Sequence, residues 1–379
     1  MTTSLVSQSE GKKILVIGFN ARHVVCSAKR AGYNVTTISH FSDCDLVKCG
    51  NRTLVIHQEF TGFLQDLDYK VVRDAIKGIE YDSAVLASGF EALEIPGILG
   101  NDPKVANFIN NKKATHDKLE SLGYRVPKHF ELEDNIKYPV IVKPQTGAGG
   151  FKNALVRDSN QLDDVVSSFH ENEWHDFIIE EYIKGLDASS SILSTGRLAI
   201  TIAVNEQLLG LRNLGPTKRF SFCGSVTPLK TIFTGEIEAV SESIAIDFGL
   251  IGSNGIDFII GPDGPVVIEV NPRFQGTLDT VEAALGINVF DAHVKACSNE
   301  LIQRPKYRRF ATRVIYFAER DLEISKRISQ AFYMDIPCKG THIQRGKPVI
   351  SAMGCGKSRD IAFNAAMRRI EAARKIYGA

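Results

Sequence analysis

Residues 255–273, Gly-Ile-Asp-Phe-Ile-Ile-Gly-Pro-Asp-Gly-Pro-Val-Val-Ile-Glu-Val-Asn-Pro-Arg, constrain this chain more than any other stretch. Two apolar, β-branched runs, 256–260 and 266–270, flank Gly261-Pro262-Asp263-Gly264-Pro265, which predicts a β-hairpin. Asp257 and Glu269 interrupt those runs, and Asn271 follows. Glu269 and Asn271 are two apart, so on a strand both project to one face. Asp257 joins them when it lies opposite Glu269, which calls for an odd loop centred on Asp263, of three residues or five. An even loop sends Asp257 to the other face, because a one-residue slip reverses every side chain.

Two carboxylates and an amide oxygen on one face repel one another unless a cation sits between them. All-oxygen ligands without His or Cys suit Mg²⁺ or Mn²⁺ rather than zinc. Arg273, two residues beyond Asn271, is placed to aim its guanidinium at an anion held by the same cations. The plainer alternative is a hairpin whose acids face solvent.

The chain has 379 residues, 44% of them hydrophobic, enough for two or three domains. A formal charge of +1 gives no electrostatic argument for nucleic acid or an acidic membrane surface. No run approaches the ~18 apolar residues of a membrane span. Residues 1–11 lack the charged start and apolar core of a signal peptide. The seven cysteines (26, 44, 49, 223, 297, 338, 355) show no metal spacing, and the default expectation is that they are reduced. A soluble cytoplasmic protein is expected, with self-association left open.

Residues 12–38 read as strand (Lys13–Ile17), turn, helix (Ala21–Ala31) and strand (Val35–Ile38), the opening of a parallel α/β sheet. The turn Gly18-Phe-Asn-Ala-Arg-His23 lacks the later glycines of a dinucleotide fingerprint, so a nicotinamide cofactor is not supported. A further strand, Ser83–Ala87, ends in Ser88-Gly-Phe-Glu91. Ligands gather beyond the carboxyl ends of parallel strands, which makes these two loops candidate ligand positions, or simply tight turns. After a breaker-rich linker at 96–103, one helix is expected over Lys104–Leu122.

Pro139-Val-Ile-Val-Lys-Pro144 is an apolar strand leading into Gln145-Thr-Gly-Ala-Gly-Gly-Phe-Lys152. A lysine inside such a strand needs a partner, which a phosphate would supply, unless its stem snorkels to water. The glycines let backbone N–H groups converge on an anion, although the run is not a Walker A loop. Asp176–Asp187 follows as strand, acids, aromatic and turn, and strands at 188–194 and 197–204 suggest an antiparallel sheet. Residues 205–235 read mostly as loop, and 278–301 as one or two helices. The last segment reads as strand (Thr312–Ala318), strand (Pro348–Ala352) and helix (Ser358–Tyr377). There Gly356-Lys-Ser fails the P-loop pattern and is expected to be a turn, with Ser358 as the helix N-cap.

Taken in order, these pieces resemble the ATP-grasp superfamily over nearly the whole chain. The resemblance implies an α/β and α+β fold: a pre-grasp domain over 1–100, a grasp domain over 101–304 with its hinge near 180–187, and an α/β segment over 305–379. Lys112 is similar to the family's first nucleotide lysine and Lys143 to the second. Gly147, Gly149, Gly150 and Lys152 resemble the glycine loop that closes over the phosphates. Glu180, Glu181, Tyr182 and Ile183 resemble the hinge that meets adenine, and Asp187 the acid on the ribose. Asp257, Glu269 and Asn271 match the metal set, and Arg273 the arginine near the transferred phosphate. Asp257 departs from the glutamate common at its position, and Phe151 precedes Lys152 in the loop.

The resemblance implies an ATP-dependent ligase using Mg²⁺ or Mn²⁺ to turn a small-molecule carboxylate into an acyl phosphate for attack by an amine, with Lys143 and Arg273 catalytic. Bicarbonate activation and a non-catalytic nucleotide-binding regulator are the alternatives. Substrate contacts are expected among Asn20, Arg22, Ser88, Glu91, Arg212, Gly276 and Thr277.

Overall fold

A computed structural model of the chain describes residues 11–56, 68–147, 152–171, 176–328 and 331–377. The apolar run Lys13–Gly18 is buried along nearly its whole length, as expected of a strand covered on both faces. It pairs in parallel with Asn34–Ser39 on one side and Ser83–Leu86 on the other. With Arg52–Val55 these form a four-stranded parallel sheet. The helix Arg22–Arg30 packs against the short helix Cys44–Cys49, and a disulfide joins Cys26 to Cys49 across them. The expectation of seven reduced cysteines is therefore corrected. Tertiary packing, not sequence spacing, brings these two within a Cα separation of 5.0 Å.

The single helix expected over 104–122 is two helices, Pro103–Asn110 and Lys112–Ser121. Asn111 lies between them at φ −83°, ψ 100°, and its side chain accepts a hydrogen bond from Ala114 N at 3.0 Å. An asparagine that caps the next turn competes with continuation of the previous helix.

Beyond the helices, a four-stranded antiparallel sheet runs in the order His129–Phe130, Phe177–Glu181, Val140–Pro144, Ala154–Val156. The larger sheet has eight strands, in the order Gly264–Asn271, Ile251–Gly261, Leu186–Thr195, Ala199–Leu209, Phe222–Thr227, Phe310–Phe317, Pro348–Gly356, Tyr333–Met334. It runs without a break past residue 304, since Phe222–Thr227 pairs with Phe310–Phe317. Within the region read mostly as loop over 205–235, residues 205–209 and 222–227 are strand. Its small polar residues look loop-like, yet Ser225 and Thr227 are buried and share hydrogen bonds with Thr280. Gly224 is required there: at φ +131°, a Cβ would meet the Arg313 carbonyl oxygen at 1.9 Å. Ser358 accepts from Ile361 N and opens the helix Arg359–Tyr377, as expected for an N-cap. Among the described residues, no helix is long and apolar enough to cross a membrane.

Candidate active site

The hairpin reaches the expected arrangement by an unexpected route. Its loop is even: Gly261 pairs with Gly264, leaving two residues between them. Regular pairing continues to Phe258 opposite Val267, and then a β-bulge at Ile268 shifts the register. The extra residue places Asp257 opposite Glu269, with Gly255 opposite Asn271. The expectation of an odd loop is corrected, while the shared face survives.

On that face Asp257 accepts from Asn271 Nδ2 at 3.1 Å and from Gln207 Nε2 at 2.7 Å. Burial first, and Glu269 next, push the Asp257 carboxyl up to about 7. Glu269 accepts from Lys112 Nζ at 2.6 Å; Lys112 offsets burial and holds Glu269 below its usual range. The donors in the face are all oxygens, and Asp257 holds its charge poorly beside Glu269. This chemistry fits a hard divalent cation such as Mg²⁺ or Mn²⁺.

Lys143 is 3% exposed, and its partner is a carboxylate rather than the expected phosphate: Glu180 Oε2 lies at 2.7 Å. The Glu180 carboxylate also faces His129 and His116, so both its oxygens are engaged within the protein. Lys112 Nζ donates to the Gly147 carbonyl at 2.9 Å, tying the start of the glycine run to the hairpin. Gly149 and Gly150 lie outside the described residues. Lys152 is described just beyond them and is half-buried.

Glu180, Glu181, Tyr182, Ile183 and Asp187 line one cavity of about 700 Å³ together with Lys143, Asp257, Glu269, Asn271 and Arg273. Burial raises Asp187 to about 6. Arg273 donates to Asn271 Oδ1 at 2.9 Å and forms an ion pair with Glu91, a buried carboxylate from the turn that follows the strand Ser83–Leu86. Of the expected substrate contacts, Ser88, Arg212 and Thr277 line the cavity, while Asn20 and Gly276 do not. Arg22 is corrected outright. It is 2% exposed and binds Asp279 through two hydrogen bonds (2.9 and 2.6 Å) and Asp335 through a third (2.9 Å).

Sequence reasoning missed Phe19, Gln207, Arg219, Phe220, Phe222 and Gln275, all of which line the cavity. Gln207 carried a signal: an amide between two acceptable strand residues, Glu206 and Leu208, on a strand two away from the hairpin. Gln275 packs where Gly255 lacks a side chain, and a Cβ there would lie 1.7 Å from the Gln275 Cδ.

A family model described as an ATP-grasp domain matches residues 109–277. An uncharacterized protein of Methanocaldococcus jannaschii is 30% identical over 360 residues, covering 90% of this chain and 88% of that one. A formate-dependent phosphoribosylglycinamide formyltransferase of Prochlorococcus marinus is 22% identical over 312 residues, 75% of each chain. Among solved structures, the biotin carboxylase domain of Hydrogenobacter thermophilus 2-oxoglutarate carboxylase, in complex with MgADP and bicarbonate, superposes with a TM-score of 0.74. It is 17% identical and covers 97% of this chain and 90% of that one. With the fold, the ordered residues and these relatives in agreement, the chain belongs to the ATP-grasp superfamily of ATP-dependent ligases.

Proposed function

We propose that this enzyme activates a small-molecule carboxylate with ATP and passes the acyl group to an amine, releasing ADP and phosphate. The observation that carries the reading is the convergence of Asp257, Glu269 and Asn271 with Lys143 and Arg273 around a single cavity. A carboxylate is a poor electrophile until one oxygen becomes a leaving group, and transfer of the γ-phosphoryl group supplies that. The formyltransferase relative, named for its dependence on formate, supports a small carboxylate as the group activated.

Asp257, Glu269 and Asn271 would hold Mg²⁺ or Mn²⁺, which when bound neutralises charge on the β- and γ-phosphates. Lys112 and Lys143 bring cationic charge to the phosphates, and residues 181–183 with Asp187 receive the nucleoside. Arg273, fixed by Glu91 and Asn271, points its guanidinium to where charge builds on the migrating phosphoryl group. Residues 1–100, through Phe19, Ser88 and Gly89, would complete the pocket that the grasp domain opens. Enclosing the intermediate keeps water from hydrolysing it.

The test is ADP release by the purified protein with ATP–Mg²⁺ against a panel of carboxylates, with and without amines. With the right carboxylate, ¹⁸O from its carboxyl group appears in the released phosphate. Product without that transfer, or AMP in place of ADP, overturns the reading. Bicarbonate belongs in the panel, because the biotin carboxylase neighbour was solved with it.

A further inference from the structure

Two histidines that the phosphoryl-transfer reading does not use meet Glu180, whose side chain was expected at the adenine hinge and instead turns to Lys143 and to them. His116 comes from the helix Lys112–Ser121, His129 from the strand His129–Phe130, and Glu180 from the strand Phe177–Glu181. We propose that His116, His129 and Glu180 form a second metal site, for a borderline transition cation of the Zn²⁺ class, separate from the all-oxygen set on the hairpin.

His116 Nδ1 lies 2.9 Å from His129 Nε2 and 3.2 Å from Glu180 Oε1, and His129 Nε2 lies 3.3 Å from Glu180 Oε1. Tetrahedral bonds of ~2.0–2.1 Å place neighbouring ligand atoms about 3.3 Å apart. The three edges are therefore close to one face of such a tetrahedron, with one position left over.

The protons point the same way. His116 Nε2 is 2.9 Å from the Ile268 carbonyl oxygen, which can only accept, so that nitrogen carries the hydrogen. Burial first, and the Lys143 charge next, push His116 down to about 4, so its ring is neutral near pH 7. Its Nδ1 therefore presents a lone pair to a carboxylate oxygen. Burial opposes ionisation of Glu180, but Lys143 and the two histidines hold it to about 2, so that oxygen is charged. Two acceptors thus face each other, and a proton on His129 Nε2 would have to be shared between them. A cation satisfies all three atoms at once.

The outer partners match what metal sites need. Ligating histidines usually give their second ring N–H to a carbonyl or carboxylate, which fixes the ring. His116 has the Ile268 carbonyl at 2.9 Å, while His129 Nδ1 faces Asp117 Oδ1 at 4.0 Å, beyond direct hydrogen-bond reach. The second oxygen of Glu180 is anchored by Lys143. Two imidazole nitrogens and one carboxylate favour Zn²⁺, Co²⁺ or Ni²⁺ over Mg²⁺. Entry is available too: His129, 19% exposed, lines a pocket of about 200 Å³ with Lys113, Glu131 and Ile179.

The test uses the full chain, stripped with chelator and then dialysed against Zn²⁺ or Co²⁺. One tightly held equivalent of Zn²⁺ is expected, together with visible Co²⁺ absorption bands of a low-symmetry site. Zn²⁺ should also raise the thermal midpoint, since it binds the native state. His129→Ala, and His129→Gln as a second variant that preserves volume, should weaken Zn²⁺ binding by about a hundredfold or more and abolish the bands. Asp257→Asn, which alters the hairpin set, should leave both readouts intact. Absence of stoichiometric Zn²⁺, equal affinity in the His129 variants, or loss of binding in Asp257→Asn instead would each overturn the proposal and leave a hydrogen-bonded trio.

Discussion

Arg273 has two jobs that pull a mutational experiment in different directions. Its guanidinium faces the cavity, and it also neutralises the buried Glu91, whose carboxyl burial raises despite that pairing. Arg273→Ala strands Glu91, and breaking a buried pair from one side destabilises by about 3–5 kcal/mol. Denaturant unfolding should show that loss, and ADP formation should fall by about two orders of magnitude or more. The double variant Arg273→Ala/Glu91→Gln should recover most of the stability and none of the rate. Recovery of both would mean that Arg273 only supports the fold. Asp257 gives a pH prediction. In the metal-free protein its carboxyl sits near about 7, above its value in the unfolded chain, near about 3.9. The native state then holds a proton that the unfolded chain has released, so stability falls as pH rises across that window. Asp257→Asn removes this slope. Its thermal midpoint in chelator should pull ahead of the parent between about pH 4 and about pH 7, while ADP formation is lost. A gap that stays constant over that range contradicts the assignment of Asp257 as a charge awaiting a cation.

At the scale of single elements, two irregularities make the site. The break at Asn111 starts a new helix at Lys112, whose ammonium reaches both Glu269 and the Gly147 carbonyl. The bulge at Ile268 sets Asp257 against Glu269, and the Ile268 carbonyl at that position meets His116. Neither was legible: a local break competes with a strong helical pattern, and a bulge changes facing without changing composition. The turn after Glu181 offers a sharper test. A Cβ on Gly185 would lie 2.3 Å from the Ile260 backbone oxygen, a clash no rotamer can relieve. Gly185→Ala should destabilise by about 1–3 kcal/mol and displace the segment that lines the cavity at 181–187. Steady-state kinetics should then show a raised KM for ATP; an unchanged KM would argue that this segment does not receive the nucleotide.

Across the whole molecule, Arg22 ties three distant parts of the chain together. It comes from the first helix, Asp279 from the helix Leu278–Leu285, and Asp335 from the C-terminal region, where Arg313 joins at 2.5 Å. Burial works against ionisation of Asp279 and Asp335, but Arg22, with help from Arg313, holds both below the usual carboxylate range. Their stabilisation is fully present above about pH 4 and fades only as pH falls toward the depressed values. Arg22→Leu leaves two buried aspartates short of a partner and should lower stability by about 3–5 kcal/mol at neutral pH. That gap should narrow as the pH is lowered and the stranded aspartates take up protons. A gap that is independent of pH would mean that packing, rather than charge, accounts for the loss.

The order of residues determined a good deal by itself. The apolar run Lys13–Gly18 with its parallel neighbours, the existence of the hairpin over Ile251–Asn271, and the cap at Ser358 follow from local periodicity and turn chemistry, whereas the facing of Asp257 and Glu269 does not. Local pattern suffices there because each feature is decided within a few residues. What only the tertiary structure decided is which charge neutralises which. Lys143 found Glu180, Arg273 found Glu91, Arg22 found Asp279, and Cys26 found Cys49. A buried charge must be paired by whatever the fold brings within reach, and sequence distance carries no information about that reach.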